Sequence, residues 1–296
     1  GLQFARAAHA LVGRSGESMM QAAKLEGLCN ETTARWFYAW YSPFYDRLQK
    51  YFSSPHMREK GLDLADVRGR DLRVLDVGAG TGTLTLQILG RGVEPANVVM
   101  LDQSTGMLEQ AKRKPQLAAV RKVLGDAQDL PFADESFDRV TSSGAIYYWP
   151  EPVRAMREQL RVLKPGGRAL AIGTLQPSAL GIRVLAQTFN RFPTEEQYLQ
   201  WFRDAGFTDV RTVNVANPWN EAQFAIAVVG TRPAAGADGG APRAPARIGA
   251  RARESPGPLG LALLAVRYVL AMAAFALIGP IQILVASRHF KKVRAE

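Results

Sequence analysis

The sequence predicts an α/β fold: a doubly wound sheet, mainly parallel with an antiparallel edge strand, with helices before it and an apolar segment after it. Three observations carry this reading. Between residues 71 and 230, short apolar runs alternate with helix-length segments, the pattern of strands buried on both faces by the helices that connect them. A glycine-rich loop, Asp76-Val77-Gly78-Ala79-Gly80-Thr81-Gly82, separates the first of these runs from the helix after it. Far downstream, 19 residues (268–286) contain Gln282 as their only strongly polar side chain. At about 1.5 Å per residue, a helix of that length spans roughly a bilayer's hydrocarbon core.

Four parts follow in order: a helical or lid region at 1–70, the α/β domain at 71–230, a linker at 231–257 and an anchor with a basic tail at 258–296. Residues 1–16 carry Arg6 and Arg14 and no acid, a composition shared by transit-peptide remnants and by ordinary amphipathic helices. An aromatic run (Trp36, Phe37, Tyr38, Trp40, Tyr41, Phe44, Tyr45) serves either as a core stripe or as a lid. In the domain, 72–77 reads as the first strand and 98–101 as the second, with Ser104 placed to cap the next helix. Residues 120–124 and 137–141 are strands three and four. A helix at 152–163 is stopped by Lys164-Pro165-Gly166-Gly167, and 168–172 is strand five. Thr194-Glu195-Glu196-Gln197 has capping-box spacing and opens a helix that Gly206 ends. The runs 210–215 and 224–229 follow without a helix between them, so they should pair antiparallel at one edge. Residues 231–257, rich in Ala, Gly, Pro and Arg, show no periodicity. Arg267 precedes the apolar run, and Arg288, Lys291, Lys292 and Arg294 follow it, so basic flanks on both sides leave its orientation open.

Charge and composition exclude several classes. The formal charge is +10, but ten Lys/Arg and three Asp/Glu fall between 231 and 296, leaving 27 − 24 = +3 for residues 1–230. A nucleic-acid-reading face needs clustered Lys/Arg on the domain itself, and none is present in the sequence there. Cys29 is the single cysteine, and His9, His56 and His289 lie far apart, so no intrachain disulfide and no metal site is expected.

The glycine loop alone does not choose among NAD, FAD and other nucleotides, because the same turn serves all of them. Acids at successive strand ends do choose. Asp76, two residues before Gly78, would repel a pyrophosphate but suits the ammonium and sulfonium of S-adenosylmethionine. Asp102 ends the second strand, where a carboxylate accepts both ribose hydroxyls. Gly125-Asp126-Ala127 ends the third, where Asp126 can accept from an adenine amine. The expected cofactor site is therefore Asp76, Gly78, Gly80, Gly82, Asp102, Gln103, Asp126 and Ala127, holding S-adenosylmethionine.

Beyond these residues, the region 35–229 resembles the ubiquinone, menaquinone and tocopherol branch of class I methyltransferases. The likeness is greatest to the plant and algal family that methylates 2-methyl-6-phytylbenzoquinol and solanesylbenzoquinol. Matching stretches include Trp36-Phe37-Tyr38, Tyr45-Asp46, Met57-Arg58, Leu101-Asp102-Gln103-Ser104, Tyr148-Trp149-Pro150, Trp201-Phe202 and Ala205-Gly206-Phe207. The resemblance implies a Rossmann-like class I methyltransferase fold and S-adenosylmethionine-dependent C-methylation of a lipophilic prenyl-benzoquinol in tocopherol and plastoquinone synthesis. It also implies a C-terminal anchor in a chloroplast membrane (inner envelope or thylakoid). The mitochondrial inner membrane, with a ubiquinone intermediate as acceptor, is the alternative.

Methylating a hydroquinone ring carbon is helped by a base at the phenol, and His56, Asp46 and Tyr147 are the candidates. The chain departs from the family on the acceptor side. Ile146 is followed by Tyr147 where the family has glutamate, Pro218-Trp219-Asn220-Glu221-Ala222 lacks Arg and His, and 173–181 differs. A non-catalytic subunit of a membrane protein complex is thus a third reading.

Overall fold

The computed structural model describes residues 42–43, 45–47, 55–175, 193–217 and 220–234. Seven strands form one sheet: β1 Val74–Val77, β2 Val98–Asp102, β3 Arg121–Leu124, β4 Phe137–Ser143, β5 Leu163–Thr174, β6 Thr208–Asn217 and β7 Asn220–Thr231, in the order β3-β2-β1-β4-β5-β7-β6. The first five are mutually parallel. Helices α1 Pro55–Leu64, α2 Thr83–Gly90, α3 Thr105–Lys112, α4 Pro152–Val162 and α5 Glu195–Ala205 lie before and between them.

Alternation along the strands builds two cores, one on each face, because successive side chains of a strand point to opposite sides. Leu75, Leu101, Ala171 and Val228 pack with Met156 and Leu160 of α4 and with Tyr198 and Phe202 of α5. Val74, Val98, Met100, Ile172 and Val229 pack with Leu62 of α1, Leu84 and Ile88 of α2 and Ala111 of α3. In α4 the buried positions 155, 156, 159, 160 and 162 follow one helical face. The expected caps are present. Ser104 Oγ accepts from the Met107 amide. Thr194 and Gln197 bond reciprocally at 3.2 and 2.9 Å, and Gly206 ends α5 in the left-handed conformation (φ 101°).

Two expectations about the sheet need correction. The stretch Lys164-Pro165-Gly166-Gly167 does not separate α4 from a strand beginning at 168. Strand β5 starts directly at Leu163, and the Pro-Gly-Gly stretch is absorbed as a register shift between the Phe137↔Leu163 and Arg139↔Arg168 pairs. Such an irregularity bends a strand without ending it. The last two strands do pair antiparallel at one edge as expected, but the strand that runs against the rest is the inner one of the two. β7 lies between β5 and β6 and runs antiparallel to both, while β6 forms the edge. Both strands are longer than their apolar runs, because the ladder continues past them to Thr208↔Thr231 and Asn217↔Asn220.

Among the described residues no helix is long and apolar enough to cross a membrane. The expected span at 268–286, residues 235–257 of the expected linker, residues 1–41 and the aromatic run other than Tyr45 lie outside them; Thr231, expected to open the linker, instead ends β7.

Candidate cofactor site

An open cleft lies at the carboxyl ends of β1 to β4, the position where doubly wound sheets receive ligands. Seven of the eight residues expected from the sequence line it, Asp76, Gly78, Gly80, Asp102, Gln103, Asp126 and Ala127; Gly82 does not, and is the N-cap of α2. The loop is fixed to β2 by the amides of Gly78 and Ala79, which donate to the Leu101 carbonyl at 2.8 and 3.1 Å.

Gly78 and Gly82 take positive φ, 68° and 86°, so side chains there would be strained. The space a Cβ would fill is already taken by the protein. At Gly78 it would meet Ala145 Cβ at 2.4 Å, and at Gly82 it would meet Leu117 Cδ1 at 2.4 Å. These two glycines thus serve close packing of the loop as well as approach to a ligand.

Asp102 is buried and ends β2. One carboxylate oxygen accepts the Gly80 amide at 2.8 Å and the other accepts the Ser104 amide at 2.8 Å. Burial pushes its pKa up, opposed by the amides of Ser104, Gly80 and Gln103. Each oxygen keeps a lone pair in a fixed direction, so the group is pre-set to accept a vicinal pair of hydroxyls.

Asp76 sits opposite Thr141 in the β1–β4 register. It accepts the Thr85 hydroxyl at 2.6 Å and the Thr141 hydroxyl at 3.1 Å. Burial raises its pKa to about 7; the two hydroxyls oppose that rise, Asp102 adds to it, and Arg58 opposes it. Two buried carboxylates facing one cleft favour a cationic occupant. Asp126 accepts the Gln128 amide at 2.9 Å.

The base candidates are placed differently. His56 is exposed, 3.9 Å from Glu59, and does not line the cleft. Asp46 accepts the Thr81 hydroxyl at 2.6 Å and pairs with Lys114 at 2.7 Å, also outside the lining. Tyr147 lies on the 3-10 turn Ile146–Tyr148 that borders the cleft, and its side chain is outside the described residues.

Two lining or supporting residues were not among the expected site residues, although Arg58 lies in the matching stretch Met57-Arg58. Arg58 is buried, lines the cleft and donates from Nε to Gln87 at 3.2 Å. Gln128 is buried, and its side-chain oxygen accepts the Glu151 amide at 3.0 Å while its carbonyl accepts Arg154 at 3.1 Å. It ties the β3 exit to the start of α4. Among the described residues no group of three His, Cys, Asp or Glu is arranged to hold a metal.

Residues 75–171 match the methyltransferase domain family. The chain is 44% identical over 63% of its length to 2-methyl-6-phytyl-1,4-hydroquinone methyltransferase 2, chloroplastic, of Oryza sativa subsp. japonica, and that match spans about half (53%) of the rice protein. It is 36% identical to the chloroplastic 2-methyl-6-phytyl-1,4-hydroquinone methyltransferase of Spinacia oleracea, over 89% of this chain and 77% of the relative. Among solved structures, the cyclase SpnF superposes with a TM-score of 0.59 at 20% identity, over 69% of this chain and 97% of that one. Phosphoethanolamine N-methyltransferase 2 of Haemonchus contortus, in complex with S-adenosyl-L-methionine, superposes at 0.54 and 18% identity, over 65% and 60%. These two likenesses are of fold.

Proposed function

This chain belongs to the family of the 2-methyl-6-phytyl-1,4-hydroquinone methyltransferases, and on that premise we propose that it transfers a methyl group from S-adenosylmethionine to a ring carbon of a membrane prenyl-benzoquinol. The observation that carries the cofactor half is Asp102, whose two oxygens are each oriented by one backbone amide beside the glycine loop. A ribose diol fits that arrangement, and the paired buried acids fit the cationic amino-acid end.

When bound, the cofactor supplies an electrophilic sulfonium methyl, so the protein's work is positioning and exclusion of water. Asp102 holds the ribose. Asp76, made costly to ionise by burial, is stabilised in its charged form by a nearby ammonium. Asp126 and Ala127, braced by Gln128, frame the adenine end. Trp149, itself buried in the core, and Tyr148 wall the cleft toward the acceptor. The three base candidates each adjoin a lining residue: Tyr147 precedes Tyr148, Asp46 follows Tyr45, and His56 lies on the same helix as Arg58.

The chloroplastic relatives support a plastid site of action. The apolar run 268–286 with basic flanks supports an anchor in a plastid membrane, where an insoluble acceptor would be met. Incubating membranes that carry the protein with methyl-labelled S-adenosylmethionine and a set of prenyl-hydroquinones tests the whole reading. Label is expected in the ring-methylated product of 2-methyl-6-phytyl-1,4-hydroquinone. Label only in another quinol replaces the acceptor, and no label in any of them removes the activity.

A further inference from the structure

Outside the cleft, one polar cluster joins parts of the chain that are distant in sequence. The short helical stretch 45–47 touches the glycine loop through Asp46. One Asp46 oxygen accepts the Thr81 hydroxyl at 2.6 Å, across 35 residues, and the other pairs with the Lys114 ammonium at 2.7 Å. Lys114 also donates to the Thr81 carbonyl at 2.8 Å, across 33 residues. Thr81 is 1% exposed, so it is gripped by both side chain and backbone from opposite directions in the sequence.

The position of the grip gives it consequence. Thr81 lies between Gly80 and Gly82, both at positive φ, in a stretch where the backbone has little side-chain restraint of its own. Gly80 donates its amide to Asp102, so a shift of Thr81 is passed directly to the carboxylate assigned to the ribose. On the other side, Tyr45 precedes Asp46 in the chain and lines the cleft. Lys114 precedes the turn Pro115–Leu117, and Leu117 fills the space beside Gly82. The cluster therefore couples a cleft wall, the loop and the support behind the loop.

We infer that Asp46, Thr81 and Lys114 form a clasp that holds the glycine loop in its binding shape and presents Tyr45 to the cleft, so that Asp46 and Lys114 are positioning residues for the cofactor. The inference rests on the S-adenosylmethionine reading above. It also reassigns Asp46, which the sequence offers as a base. Both its oxygens are engaged by the clasp.

The pair is partly exposed, 45% at Asp46 and 21% at Lys114, so water competes for it and its effect is moderate. The test measures S-adenosylhomocysteine affinity and dissociation rate on the full chain, well below its melting temperature, for Asp46→Asn, Lys114→Met and the double variant. Each single change is expected to weaken affinity roughly tenfold, mainly by faster dissociation, as loss of a charged hydrogen bond that is partly screened. The double variant should be no weaker than the singles combined would forbid for one shared interaction, that is, close to either single. Lys114→Arg, which keeps the charge, should stay near wild type. A role in stability alone would lower the ligand-free melting temperature and leave affinity unmoved, and that result overturns the clasp. Fully additive effects overturn it too. Wild-type protein that binds no S-adenosylhomocysteine overturns the clasp together with the cofactor reading beneath it.

Discussion

The two ends of the sheet carry acids in opposite settings. At the carboxyl ends of β1 to β3, Asp76, Asp102 and Asp126 face one cleft, and Arg58 is the single Lys or Arg among its described lining residues. At the amino ends, Asp66 lies 2.8 Å from Arg68, 3.7 Å from Arg139 and 3.9 Å from Arg168, and Asp138 lies 2.8 Å from Lys164. The pKa directions differ accordingly. Burial pushes the Asp138 carboxyl up, but Lys164, the Arg73 amide and Arg139 outweigh it and hold it below the ordinary range. Burial pushes Asp76 up to about 7 against weaker opposition. Charges compensated within the protein hold the scaffold together. Charges left under-compensated in a buried cleft are available to a ligand that completes them.

Removing the cleft's best-oriented acid should have the largest effect. Asp102→Ala deletes the charge-assisted bonds from the Gly80 amide of the loop and from the Ser104 amide, together with the proposed ribose acceptor. S-adenosylhomocysteine affinity, measured by calorimetry, should fall about a hundredfold or more. A change within about threefold would break the comparison at its strongest point.

The pH dependence of stability sharpens it further, because the two ends should differ in sign. Asp76 has a raised pKa in the folded state, so between about pH 4 and 7 the folded protein binds the extra proton. Its ionisation therefore removes stability as pH rises through that window, by up to a few kcal/mol. The melting temperature of the ligand-free protein should fall toward pH 7, and Asp76→Asn should flatten that fall. A cationic ligand favours the ionised form, so its affinity should increase from pH 6 to 8. Asp138 has a depressed pKa, so its contribution is present above the unfolded value and is lost as pH falls through the folded one. Asp138→Asn should thus cost stability at neutral pH, by about 1 kcal/mol or less because Lys164 is partly exposed. It should leave cofactor affinity unchanged. Thermal melts of both variants across pH 4 to 8 check these signs, and slopes of the same sign would dissolve the distinction.

Much of this was legible in the sequence where the governing physics is local. Apolar runs, the Thr194–Gln197 capping box and the glycine loop are set by neighbours within a few residues, and each forms where its pattern places it. The acids at 76, 102 and 126 were found because strand ends converge in a parallel sheet. What escaped depends on distant partners. The insertion of β7 between β5 and β6 is a choice of ladder partner that no run of residues encodes. The burial of Arg58 and Gln128 comes from elements that pack over them. Asp46 stood among the base candidates because its partners Thr81 and Lys114 are far along the chain. At Lys164-Pro165-Gly166-Gly167 the helix ends as expected, but pairing with β4 starts the strand before this stretch and not after it.

The antiparallel run of β7 also sets the direction in which the chain leaves the sheet. Thr231 pairs with Arg168 at the start of β5, and Arg232 is held there by Gly167, by the carbonyls at the end of α4 and by Glu135 at 2.7 Å. The described chain thus leaves the sheet at the end opposite the cleft. A membrane tether at 268–286 would therefore start on the far side of the molecule from the chemistry. Of the residues between, 235–257 are rich in Ala, Gly, Pro and Arg. Fully stretched they reach at most roughly 80 Å, against about 23 Å for a seven-residue strand. A connection of that reach would let the domain turn its cleft toward a membrane, were 268–286 held in one.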